Sequence, residues 1–178
     1  MKHALLCLSV LFAPPLHAES LCGVSDVDFI LDQIEGRWAA DGNVSVESET
    51  LSVFKPLPDV VVIGPDHRLT TRMTRNMGLT PELDVAAAPY DVDAVDDMLD
   101  TVEAAWIADA VSDTPCGPEE LTQLSAEVRV DDVITGHVTL IPYFTDRVVL
   151  IAEVETRGDW GLAFVTHGLL LTRADEPE

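Results

Sequence analysis

The chain has 178 residues, with 32 Asp and Glu against 10 Lys and Arg, for a formal net charge of −22. So few cations argue against nucleic acid and anionic membrane surfaces as partners, because both need clustered positive charge. At this length one domain with a substantial core is expected.

The chain opens Met1-Lys2-His3, runs apolar from Ala4 to Ala13, and reaches Pro14-Pro15-Leu16-His17-Ala18 before the polar Glu19-Ser20. A basic start, a short apolar stretch and a small residue describe a secretory signal peptide over residues 1–18. The apolar run is too short to span a bilayer. The expectation is an exported protein, periplasmic or secreted, with no integral membrane segment after cleavage. Two cysteines follow, Cys22 and Cys116, with no CxxC and no Cys–His cluster. In an exported chain they are expected to form one disulfide.

Ser25-Asp26 caps a helix whose apolar residues Val27, Ile30, Leu31, Ile34 and Trp38 recur at helical spacing. It ends near Glu35-Gly36, and Asp41-Gly42-Asn43 is expected to turn. Asn43-Val44-Ser45 matches a glycosylation sequon, to which a bacterial-looking leader gives little weight. Strands are expected over 44–54, 60–63 and 67–74, and a Gly/Pro-containing loop over 76–89. Residues 91–110 read as one long amphipathic helix, with Val95, Leu99, Val102 and Trp106 facing a sheet. Its aspartates lack the central glycine of a calcium loop and read as a solvated face. Arg68, Arg72 and Arg75 read as offsets to that acidic face.

Residues 126–130, 133–144, 147–156 and 161–173 form a four-strand antiparallel meander, rich in β-branched and aromatic residues. If each gap is a two-residue turn, Val133 faces Val130, Val148 faces Tyr143 and Leu162 faces Arg157. Period-two alternation then puts Val128, His137, Thr139, Tyr143, Leu150, Ala152, His167 and Leu169 on one face. Glu127, Val138, Leu140, Val149, Ile151, Glu153, Glu155, Phe164 and Thr166 fall on the other. That second face is charged at one end and apolar at the other, so a covering element is expected over part of it. The fold class is β-rich α+β. A curved antiparallel sheet or barrel carries the meander, an N-terminal helix and a mid-chain amphipathic helix, in one domain over 19–173. Residues 174–178 form an acidic tail expected to be disordered.

No Gly-x-Ser-x-Gly and no glycine-rich phosphate loop is present; a small enzyme ranks behind a binding or interaction protein, since it needs a third polar group converging on His137 and His167, and no cofactor is expected. The candidate ligand-binding residues are His137, His167, Thr139 and Tyr143, a few polar groups on an apolar face. The two imidazoles are expected roughly 10–12 Å apart across one intervening strand. Two histidines fall short of a zinc set, so no metal is expected.

Gly36-Arg37-Trp38 after a short helix, with Arg173 closing the last strand, resembles the signature of lipocalins. There an arginine packs across the tryptophan of a Gly-x-Trp. The resemblance implies a barrel holding a small apolar ligand. A rival resemblance, to nuclear-transport-factor-2-like proteins, accounts better for the mid-chain helix. The functional expectation is an exported binding protein for a small apolar or amphipathic molecule in a barrel or sheet pocket. Its alternative is a non-enzymatic envelope interaction or assembly protein with no internal pocket.

Overall fold

The computed structural model describes residues 18–56, 58–76, 78, 84–89, 92–111, 116–117, 120–130, 133–158 and 161–174. The expected signal peptide, except Ala18, and the tail beyond residue 174 lie outside these residues. So do the hairpin positions 131–132 and 159–160.

The elements run α1 (Val27–Ile34), β1 (Gly36–Ser48), β2 (Ser52–Pro56), β3 (Asp59–Ile63), β4 (Leu69–Thr70), α2 (Arg72–Asn76) and β5 (Asp84–Pro89). They continue through α3 (Val92–Thr101), α4 (Trp106–Val111), β6 (Thr122–Val130), β7 (Ile134–Phe144), β8 (Arg147–Gly158) and β9 (Gly161–Arg173). The sheet is antiparallel, in the order β4-β3-β1-β9-β8-β7-β6-β5, and it curls into a half-barrel. β1 is its hub. One end of β1 pairs with β3, the other with β2, and most of its length with β9. Close strand contact accompanies the curl. A Cβ at Gly42 would fall 2.0 Å from the Gly168 carbonyl oxygen, and one at Gly136 2.1 Å from that of Glu153.

Each face of the sheet carries its own core. Inside the curl, α1 contributes Ile30, Leu31 and Ile34 to a cluster with Trp38, Ile63, Leu69, Leu124, Val138, Leu140, Leu150 and Leu169. Residues from β3, β4 and β6 thus share one core. On the outer face, α3, α4 and the connection between them bury Val95, Leu99, Val102 and Ile107 against Ile141, Val149 and Ile151. This is the cover expected over the apolar end of the second face.

Several expectations need correction. The mid-chain helix is two helices. After α3 the Ala104 N–H donates to Leu99 O at 2.8 Å and the Glu103 N–H to Asp100 O at 3.0 Å, a Schellman close. Its left-handed position is Glu103, at φ 50°, rather than glycine, so no sequence punctuation marks the break. Trp106, now at the start of α4, is 39% exposed instead of facing the sheet. The expected turn at Asp41–Asn43 lies within β1. The Asn43 side-chain amide donates to Val102 O and Glu103 O, both at 3.0 Å, and so ties β1 to the close of α3. The strand expected over 44–54 divides between β1 and the β1–β2 hairpin. The one over 67–74 shrinks to β4, because Thr71 and Thr74 cap α2 reciprocally, Thr71 N–H to Thr74 Oγ1 at 2.8 Å and Thr74 N–H to Thr71 Oγ1 at 3.0 Å. The loop expected over 76–89 contains β5. The cap of α1 is Asp26, which accepts from Phe29 N–H at 3.2 Å, rather than Ser25.

The meander forms as read, but two of its three registers move by one residue. Val130 pairs with Ile134 rather than Val133. At the other end of β7, a bulge between Pro142 and Phe144 sets Pro142 opposite Val148 in place of Tyr143. Arg157 pairs with Leu162 as expected. The two slips cancel across β7. Strands β6, β8 and β9 keep the faces expected of them, and β7 alone turns over. Pro142 gives the reason for the second slip, since a proline cannot donate to the ladder and sits in sheets at edges or bulges.

Candidate functional site

Because β7 turns over, His137 and His167 lie on opposite faces, and the expected two-histidine pocket does not form. His137 pairs with Glu153, which in turn pairs with Thr166, so His137 shares the outer face with Thr166. His167 pairs with Ala152 and points into the curl, 5% exposed. Thr139 stays on the outer face with His137, half-buried. Tyr143 belongs to the core beneath α3 and α4. Of the four candidate residues, the structure keeps His137 and Thr139 together on open sheet and separates the other two from them.

Inside the curl, His167 borders a cavity of about 20 Å³, with Asp59, Thr71 and Thr74 on its polar side and Leu69, Leu150 and Leu169 among its apolar walls. That is room for about one water molecule. The His167 Nε2 atom is buried without a hydrogen-bond partner. Burial lowers its pKa from 6.5 to about 4, with the Asp59 charge pulling weakly the other way. Asp59 is occupied by local structure. It accepts from the Val60 N–H at 2.7 Å and from the Arg72 N–H at 3.0 Å, so it joins the start of β3 to the start of α2. Its carboxylate also stands 3.7 Å from Arg72 Nε, and Arg68 pairs with Asp66 at 3.1 Å. Arg68 and Arg72 therefore bind acids near β3 and β4, where an offset to the helix face was expected.

On the outer face, beyond the reach of α3 and α4, an open groove of about 500 Å³ lies across β7, β8 and β9. Its side chains are Thr135, His137, Glu153, Glu155, Phe164 and Thr166. Cross-strand register explains the arrangement. One row runs Glu127, His137, Glu153, Thr166, Ser45 and Phe54, and the next runs Arg129, Thr135, Glu155, Phe164, Glu47 and Ser52. His137 thus stands between two carboxylates on adjacent strands, where directly opposed Cβ atoms are about 5 Å apart. Phe164 is 51% exposed and forms the aromatic wall. The alternation in β8 and β9 had already gathered Glu153, Glu155, Phe164 and Thr166 on one face. Only the turned strand kept His137 from being counted with them.

No group of three or more His, Cys, Asp or Glu side chains among the described residues is arranged to hold a metal ion. No helix among them is long and apolar enough to cross a membrane.

At the closed end of the curl, Trp38 is fully buried and its indole N–H donates to Ile34 O at 2.9 Å. The guanidinium of Arg173 stacks over the Trp38 ring at 4.3 Å and donates to the carbonyls of Gln33 and Glu35. Cys22 and Cys116 lie at disulfide distance, their Cα atoms 5.3 Å apart. Around them the N-terminal segment is stitched to β7 by Leu21 N–H to Tyr143 O at 3.0 Å and to the turn before β6 by Gly23 N–H to Glu120 O at 2.8 Å. No family model, no curated protein and no solved structure matches the chain.

Proposed function

We propose that the protein is an exported, non-enzymatic binding protein that holds a small amphipathic molecule in the groove on the outer face of its sheet. The observation that carries this reading is the groove of about 500 Å³, walled by Phe164 and floored by His137, Glu153 and Thr166. That volume lies in the range of small-molecule sites, and an apolar wall beside a few polar groups suits an amphipathic ligand. The cavity beside His167 inside the curl, about 20 Å³, is too small for an organic ligand. Export is supported by two cysteines at disulfide distance, an arrangement that persists in oxidising compartments such as the periplasm or the extracellular space. The stack of Arg173 on Trp38 supports a lipocalin-like ancestry for the curl, with the binding surface moved from its inside to its outside.

Native mass spectrometry of the exported protein tests this reading. A small-molecule adduct is expected on the wild type and is expected to be lost from Phe164→Ser. An adduct retained by that variant, or no adduct together with no groove signal shifted by an amphiphile in an NMR titration, would overturn it. The alternative of a protein-interaction role rests on β2 and the residue before it, where Leu51, Val53 and Phe54 are exposed. It is favoured if the mass spectrum shows a protein partner in place of a small molecule.

A further inference from the structure

Building on the groove reading, we infer that the ligand is a small amphiphile with a cationic head, an ammonium or guanidinium, seated over the row Glu127–His137–Glu153. Register puts the three side chains directly beside one another on β6, β7 and β8. Neither Glu127 nor Glu153 makes an ion pair or side-chain hydrogen bond among the described residues. Two cations stand nearby: Arg129 lies opposite Thr135 in the adjacent row, on β6, and Arg157 follows Glu155 on β8 and pairs with it at 3.5 Å. Glu153 lines the groove and Glu127 stands across His137 on β6, one strand outside it, so carboxylates flank the imidazole on both sides, on a chain whose formal charge is −22. Charge complementarity selects a cation there and repels an anion. Beside this row, diagonal to Glu153, the exposed Phe164 ring offers a surface for an alkyl chain or a face for the cation itself. The occupant this geometry fits is a free single-chain amine, its head between the carboxylates and its chain along Phe164.

Three probes with one decyl chain separate the charge inference from the groove reading: decyltrimethylammonium, decyl sulfate and a neutral decyl glucoside. Each is titrated below its micelle concentration into the full exported chain, with the backbone NMR signals of β7, β8 and β9 as the site-specific readout. The cationic probe is expected to shift Thr135, His137 and Phe164 with the tightest apparent Kd, and its affinity is expected to fall as salt rises. Glu153→Gln is expected to weaken it about threefold, the worth of one exposed ion pair, and the double variant with Glu127→Gln about tenfold. Both positions are exposed, so both variants should fold. If decyl sulfate or the glucoside binds as well as the cation, or if the double variant leaves the cation's affinity unchanged, the charge inference falls while the groove reading stands. If none of the three probes shifts a groove residue, both fall.

Discussion

The Arg173 guanidinium lies 4.3 Å from the centre of the Trp38 ring, and both side chains serve the same end of the same helix. Helix α1 finishes with carbonyls that have no partner inside the helix. Trp38 takes that of Ile34, while Arg173 takes those of Gln33 and Glu35. One residue from the first strand and one from the last thereby fasten the helix over the closed end of the curl, and a positive charge meets the negative end of the helix dipole.

Arg173→Ala should therefore destabilise the protein by about 2 kcal/mol or more, through the lost stack and the stranded carbonyls. Arg173→Lys should recover only part of this, because an ammonium cannot reproduce the planar fork. Urea denaturation of the two variants checks the ranking. A loss under about 0.5 kcal/mol for the alanine variant would mean that α1 is held by its apolar face alone.

The Cys22–Cys116 pair spans a sequence separation of 94 residues. In the chain-entropy model, closing so long a loop contributes about 4.7 kcal/mol. Thiol labelling of unreduced, denatured protein should modify neither cysteine, and reduction should lower Tm by several degrees. Labelling of both would show that the two thiols sit at bonding distance without being bonded.

His167 sets a pH dependence whose sign follows from its burial. Unfolded, it takes a proton near pH 6.5; folded, near pH 4. Between those values the unfolded state binds more protons, so acid favours unfolding. Its contribution to stability is fully present above about pH 6.5 and is lost as the pH falls toward 4, by about 3 kcal/mol in all. His167→Phe keeps the aromatic volume and removes the titrating group. Its stability should thus fall less than that of the wild type between pH 7 and pH 4.5, as read from urea midpoints at both pH values. Parallel losses in the two proteins would place the acid sensitivity elsewhere, among the carboxylates.

Glu103 holds the left-handed position of the Schellman close at φ 50°. A side chain there costs about 1–2 kcal/mol, and glycine avoids that cost while losing some chain entropy on folding. Glu103→Gly is expected to raise stability by about 0.5–1 kcal/mol. Its side chain is exposed and the capping bonds run through the backbone, so the groove and its ligand should be untouched. A lower urea midpoint would show that Glu103 itself contributes a contact worth more than the backbone relief.

What the sequence determined by itself was local in kind. Period-two alternation marked all four strands of the meander, and the apolar spacing of Ile30, Leu31 and Ile34 marked α1. The same alternation placed Glu153, Phe164 and Thr166 on one face, and the charge asymmetry of that face announced a partial cover, which α3 and α4 supply. These signals are legible because side-chain direction follows chain geometry from one residue to the next. Tertiary structure decided what depends on how elements meet. The face of β7 was set by a one-residue lengthening of one turn and a bulge beside Pro142, so that His137 went outside while His167 stayed in. The break after α3 was set by a left-handed Glu103 with Asn43, some 60 residues away in sequence, bonded to its carbonyl. Alternation reports only that neighbouring side chains point apart, and a single added residue reverses which way every later one points. The register that removed the two-histidine pocket, and put a groove between His137 and Phe164 instead, therefore became fixed only when the strands paired.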